Sequence, residues 1–101
     1  MNAHEYLASL VGQTIRTYNG RPNKILAIQG GHVIVGTTRS PNGQPVPIAW
    51  VQAAADRLDA EREVEVSVAS LGHRSAFIGA VLASLPGAAF DGGSPPAVRL
   101  R

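Results

Sequence analysis

The pattern of apolar residues predicts an α+β domain: a small antiparallel sheet, three strands plus a short extra strand, covered on one face by about three helices. Three observations predict it. Residues 24–38 hold two apolar runs flanking Gly30-Gly31, the signature of a two-residue hairpin. Ile48, Val51, Ala55 and Leu58 recur at helical spacing, and so do Phe77, Ile78, Val81, Leu82 and Leu85. The elements run helix, three strands, helix, strand, two helical segments, an order that suits a sheet layered against helices. A winged-helix variant would use the short 68–71 turn and the 74–85 helix as a helix-turn-helix pair.

In chain order, Asn2 caps a first helix whose stripe is Tyr6, Leu7, Leu10 and Val11, with Gly12 as its stop. Thr14–Tyr18 is β-branched and aromatic and reads as a strand, with Ile15 and Thr17 on one face and Thr14, Arg16 and Tyr18 on the other. Asn19–Asn23 is a run of turn formers with Arg21 at its tip. After the hairpin, Arg39–Pro47 holds three prolines and reads as a stiff loop. Pro47 suits the first turn of the next helix. Trp50 lies off its stripe, where it either packs under the proline loop or offers a face for base stacking. Glu63–Ser67 is a short strand with valines inward and glutamates outward, and Ser67 caps the turn that follows.

The segment from Gly72 to Pro86 is apolar over most of its length and cationic only at its start, at Arg74 and His73. Five large apolar residues on one face, with small ones opposite, make it a core helix rather than one that lies in a groove of DNA. Its first turn, His73-Arg74-Ser75, remains available to an anion, since a helix N-terminus favours negative charge. Gly92-Gly-Ser-Pro-Pro96 has the composition of a linker. The sequence therefore predicts a compact domain over 1–90 and a linker over 91–101 toward a further domain downstream.

Composition narrows the function. The 101 residues include no cysteine, which excludes disulfides and thiolate metal sites and suits a cytoplasmic protein. No apolar run approaches the ~18 residues of a membrane span, and no signal peptide is evident at the start. Net charge is only +2, but it is unevenly placed. Residues 6–55 contain no Asp or Glu, yet hold Arg16, Arg21, Lys24 and Arg39, whereas Asp56, Asp59, Glu61, Glu63 and Glu65 crowd the next ten positions. A long acid-free stretch exposes positive surface and suits a polyanionic partner.

Catalytic sets are missing from the sequence. His4, His32 and His73 are far apart and lack metal-binding spacing. The acidic run has no lysine beside it, since Lys24 is the single lysine, and it reads as a solvated helix end paired with Arg57 and Arg62. Neither a nucleophile elbow nor a nucleotide-binding glycine loop occurs. The chain reads as a non-enzyme without a cofactor. Nucleic acid is the partner best supported, through Arg16, Tyr18, Arg21, Lys24, Arg39, Ser40, Arg74 and Ser75, with Thr37, Thr38, Asn42 and Gln44 as neutral donors that fix a backbone register. The rival is a protein-interaction domain that docks a neighbouring domain or forms a homodimer through the hairpin edge or Trp50.

Three stretches also carry a family likeness: Gly20-Arg-Pro-Asn-Lys-Ile-Leu26, Arg39-Ser-Pro-Asn-Gly-Gln-Pro-Val-Pro-Ile-Ala-Trp-Val-Gln52, and Gly72-His-Arg-Ser-Ala-Phe-Ile-Gly-Ala-Val-Leu-Ala-Ser-Leu-Pro-Gly87. Together they resemble the amino-terminal domain of actinobacterial, Mcr-type HNH endonucleases, which are modification-dependent restriction enzymes that cut methylated or phosphorothioated DNA. The likeness covers about residues 7–88 and lies outside any catalytic motif. In that family the nuclease is a separate carboxy-terminal HNH module, absent from this chain. The resemblance implies a recognition or accessory domain for double-stranded, modified DNA, joined to downstream domains of the same parent chain.

Overall fold

Seven strands and four helices are distributed over residues 1–101, all described by the computed structural model. In order they are α1 (Ala3–Ser9), β1 (Thr14–Arg16), β2 (Pro22–Gln29), β3 (His32–Thr37), β4 (Gln44–Pro47), α2 (Ile48–Glu61), β5 (Glu63–Glu65), α3 (Val68–Leu71), α4 (Ser75–Ser84), β6 (Ala88–Asp91) and β7 (Ala97–Leu100). The class is α+β, as the pattern predicts. The strands form two antiparallel sheets rather than one: a four-stranded meander, β1-β2-β3-β4, and a three-stranded sheet ordered β5-β7-β6.

The β2–β3 hairpin closes with Gln29 opposite His32, so Gly30-Gly31 is the whole turn. Gly30 supplies the positive φ, 58°, that such a turn needs. The proline-rich stretch departs from expectation. Its second half is β4, in which Val46 pairs with Val33 and is 1% exposed. Pro45 and Pro47 are tolerated because β4 is the outermost strand, where a missing N–H breaks no inner ladder. Ile48 then donates its N–H to Gly31 O at 2.9 Å, which ties the start of α2 to the hairpin turn.

The last eleven residues also differ from expectation. Only Gly92–Pro96 behaves as a connection, because 97–100 form β7, the central strand of the second sheet. Val98 is fully buried and lies between Val64 of β5 and Phe90 of β6 in the ladder. Leu100 N–H to Arg62 O and Arg101 N–H to Gly87 O, both 2.9 Å, fasten the end of the chain. A four-residue alternation beside a glycine-proline run is too short to declare itself without its partners.

One core joins both sheets. Ile25, Val33, Val35 and Val46 come from the first sheet, Val64 and Val98 from the second, Val66 from the segment just after β5, and Leu7, Val51, Leu58, Ile78 and Leu82 from the helices. Burying a Leu or Ile side chain contributes roughly 1.5–3 kcal/mol each, and α4 contributes most densely. Phe77 through Leu82 are all buried, and the helix packs on α2, β1, β6 and β7. Gly79 is needed there, since a Cβ at that position would come within 2.8 Å of Val66 Cγ1. With α4 enclosed and α3 only four residues long, the pair has no exposed reading helix, so the winged-helix variant does not hold.

Smaller expectations stand or shift by a residue or two. Asn2 Oδ1 accepts the Glu5 N–H at 3.0 Å and Ser67 Oγ accepts the Ser70 N–H at 3.1 Å, so both caps form. Val11 leaves the α1 stripe and is 44% exposed, because the helix ends at Ser9.

Candidate nucleic-acid interface

The first sheet ends, on one side, in two turns built alike. Between β1 and β2, Thr17 N–H donates to Arg21 O at 3.0 Å, and Thr17 Oγ1 accepts the Arg21 N–H at 3.1 Å. After β3, Thr37 N–H donates to Ser40 O at 3.1 Å, and Thr37 Oγ1 accepts the Ser40 N–H at 3.0 Å. A threonine side chain here does what a backbone carbonyl does elsewhere, closing the turn from within. The turns are neighbours because β2 lies between β1 and β3 and Asn23 is paired with both Ile15 and Thr37. Arg21 and Arg39 are carried outward, one on each turn.

The third wall is the start of α4. Arg74 precedes the helix in the left-handed region, φ 68°, and no side chain caps the helix. Ile78 makes the first backbone bond, to Arg74 O at 3.0 Å, so the N–H groups of Ser75, Ala76 and Phe77 have no acceptor within the chain. Phe77, 4% exposed, anchors this end in the core, which fixes where Arg74 stands.

These three walls enclose an open groove of about 670 Å³. Arg21, Arg39 and Arg74 line it together, over a floor that includes Thr17, Asn23 and Thr37. Thr17 and Asn23, each 6% exposed, are the only buried polar residues of the protein. Arg74 Nη2 donates to Gln44 Oε1 of β4, which steadies the guanidinium without neutralising it. Every ion pair in the protein lies elsewhere: the amino terminus with Asp59, Arg57 with Glu61, and Arg99 with Glu63 and Asp91. The three groove arginines therefore have no carboxylate within 4.0 Å.

Five other candidate residues fall outside this convergence. Lys24 lines a shallower groove of about 260 Å³ that shares Pro22, Thr37 and Thr38 with the first, so the two adjoin across a ridge. Register places Arg16 beside Pro22 and Thr14 beside Lys24, which puts Arg16 and Lys24 on one face. Arg16 folds back to donate to Gly20 O at 3.0 Å, and Tyr18 stands 48% exposed near it. Ser40 and Ser75 are half-buried; the first closes the Thr37 turn and the second opens α4. The residues that sequence reasoning passed over are Thr17 and Asn23. Polar side chains at inward-facing strand positions were the available signal, since a buried polar group must have a partner or a purpose.

Trp50 is not under the proline loop. It is 46% exposed and lines a second groove, about 380 Å³, with Leu71 and His73 between α2 and α3. Arg57, on the same groove, donates to Ser70 O at 2.6 Å and pairs with Glu61, so it serves to hold α3 against α2. No three His, Cys, Asp or Glu side chains cluster as metal ligands would, and no helix is long and apolar enough to cross a membrane. Compared with known proteins, the chain matches no family model, no curated protein and no solved structure.

Proposed function

We propose that this chain is a non-catalytic DNA-binding or accessory recognition domain, of the kind found at the front of modification-dependent HNH restriction endonucleases, acting in the cytoplasm on double-stranded, modified DNA. One observation carries the reading: three guanidiniums from distant parts of the chain, Arg21, Arg39 and Arg74, line one groove without a single neutralising acid. Guanidiniums left unpaired on a surface recruit phosphate, which they bind in bidentate fashion. Lys24 and Arg16 extend the positive surface across the adjoining face, and Tyr18 adds a stacking or hydrogen-bonding group there.

The salt dependence of binding is the test. Three phosphate contacts give a slope near −2.7 in log K against log salt, so affinity for a duplex falls about 40-fold between about 50 and about 200 mM. The variant Arg21→Glu/Arg39→Glu removes binding in an electrophoretic shift assay while keeping the same melting temperature. Undiminished binding by that variant, or no binding by the native chain at low salt, would overturn the reading.

A docking role is favoured by a different observation, the half-exposed Trp50 and its groove. The sheet edges offer less: β1 and β5 are three residues long, and β4 carries Pro45 and Pro47. Sedimentation of the chain alone and with its downstream domains, before and after Trp50→Ala, tests that alternative.

A further inference from the structure

The groove carries more than a passing phosphodiester uses. An internal diester brings one negative charge, whereas three guanidiniums line this space together with Ala76 and Phe77, whose N–H groups have no acceptor within the chain. A phosphate monoester brings close to two charges at neutral pH and three free oxygens, a better match to so many donors. Shape agrees with charge. The site is concave, and about 670 Å³ falls within the ~300–1,000 Å³ range of small-ligand pockets. The lining agrees as well. Thr37 Oγ1 accepts from Ser40 and retains its own proton to donate, and Thr38 is exposed beside it at the rim.

We propose that the Arg21–Arg39–Arg74 groove is a pocket for a phosphate monoester, and that the bearer is the terminal phosphate of a DNA strand. The choice of bearer rests on the DNA-binding reading; the phosphate pocket does not. In this arrangement the guanidiniums grip the terminal oxygens, the first turn of α4 faces them with its free N–H groups, and the strand leaves over the rim toward Lys24 and Arg16. The domain then distinguishes a DNA end from continuous duplex.

The experiment compares two duplexes of one sequence, with 5′-phosphate or 5′-hydroxyl ends, titrated into the isotope-labelled full chain, alongside inorganic phosphate and a 5′-mononucleotide. The phosphorylated duplex binds about tenfold more tightly, the worth of one added charge-assisted contact. Amide signals of Thr37–Arg39 and Ser75–Phe77 move with phosphate and with the phosphorylated duplex. Arg39→Gln, on an exposed loop, erases the preference, and Arg39→Gln/Arg74→Gln erases the shifts, with the melting temperature checked for each. Equal, salt-sensitive binding of both duplexes that depends on Arg21 and Arg39 would overturn the monoester pocket and leave the DNA-binding reading in place. Phosphate and mononucleotide binding at these amides, without binding of either duplex, would support the pocket and overturn the DNA-binding reading.

Discussion

Arg39 and Arg99 are the same side chain in opposite circumstances. Arg99, on the central strand of the second sheet, is bracketed by Glu63 at 2.7 Å and Asp91 at 2.9 Å, one from each flanking strand. The Glu63 hydrogen bond first, then the charges of Glu63 and Asp91, hold its pKa above the ordinary arginine value. Because the folded pKa is raised, whatever this pairing adds to stability is fully present below the ordinary value and is lost only as pH climbs beyond it. Across the working range it is constant. Arg39, with Arg21 and Arg74, has no carboxylate within 4.0 Å. The chain holds 7 acids, enough to neutralise both regions, yet residues 6–55 that build the first sheet contain none. The second sheet thus pairs its charges internally, and the end of the first sheet leaves its charges unpaired.

This contrast breaks most sharply if the second sheet is removed. Val98→Asp places a carboxylate in a site with no exposure, between Val64 and Phe90. An unpaired charge there costs several kcal/mol, a large part of the ~5–15 kcal/mol that holds a typical domain together. The expected outcome is loss of the dispersed amide spectrum and of cooperative melting. Deleting residues 91–101 has the same result, because β5 and β6 lose their common partner. A truncated chain that melts like the parent would return these residues to the status of a linker. Arg39→Ala, by comparison, leaves melting unchanged, since an exposed loop arginine without an ion pair supports nothing in the fold.

A milder intervention makes the first region resemble the second. Thr38 is exposed on the rim shared by both grooves. Thr38→Glu supplies the carboxylate that the groove lacks, and the arginines then have an internal partner, as Arg99 does. Duplex affinity falls several-fold, up to about tenfold at low salt, and the salt slope flattens by about 0.9 for each phosphate contact displaced. Thr38→Gln keeps the size without the charge and stays near the parent value. If both variants bind alike, the groove is not where phosphate sits.

The sequence made some of this legible and hid the rest for physical reasons. Local signals sufficed for the β2–β3 hairpin, where two glycines sit between two apolar runs, and for the caps at Asn2 and Ser67, where a side chain meets a backbone group three residues on. The buried face of α2 followed from its spacing alone. β4 and β7 were hidden because each is a strand only by virtue of a partner. Val46 needs Val33, and Val98 needs Val64 and Phe90, contacts that no window of the sequence contains. The groove divides in the same way. Arg21, Arg39 and Arg74 stood out as cations without nearby acids, but their convergence depends on α4 packing against β1 after the chain has passed through α2 and β5. Thr17 and Asn23, polar at inward positions, marked the floor of that convergence.

The smallest expected effect comes from freeing Arg99. Glu63→Gln/Asp91→Asn keeps the shapes of both partners and removes their charges, which leaves a further unneutralised arginine, on the other sheet. If overall positive charge governed binding, this change would raise duplex affinity as much as the reversal of one groove arginine to glutamate lowers it, since both shift the net charge equally. The groove reading expects much less. Arg99 lies on an open strand surface without converging donors, so it adds at most one loose phosphate contact, a gain below about threefold and a slope change under about 0.9. Melting falls slightly, because exposed ion pairs contribute little to stability. A large gain would mean that the protein binds DNA by its total charge. A small one, set beside a large loss from Arg21→Glu/Arg39→Glu, assigns the binding to where the arginines meet rather than to how many there are.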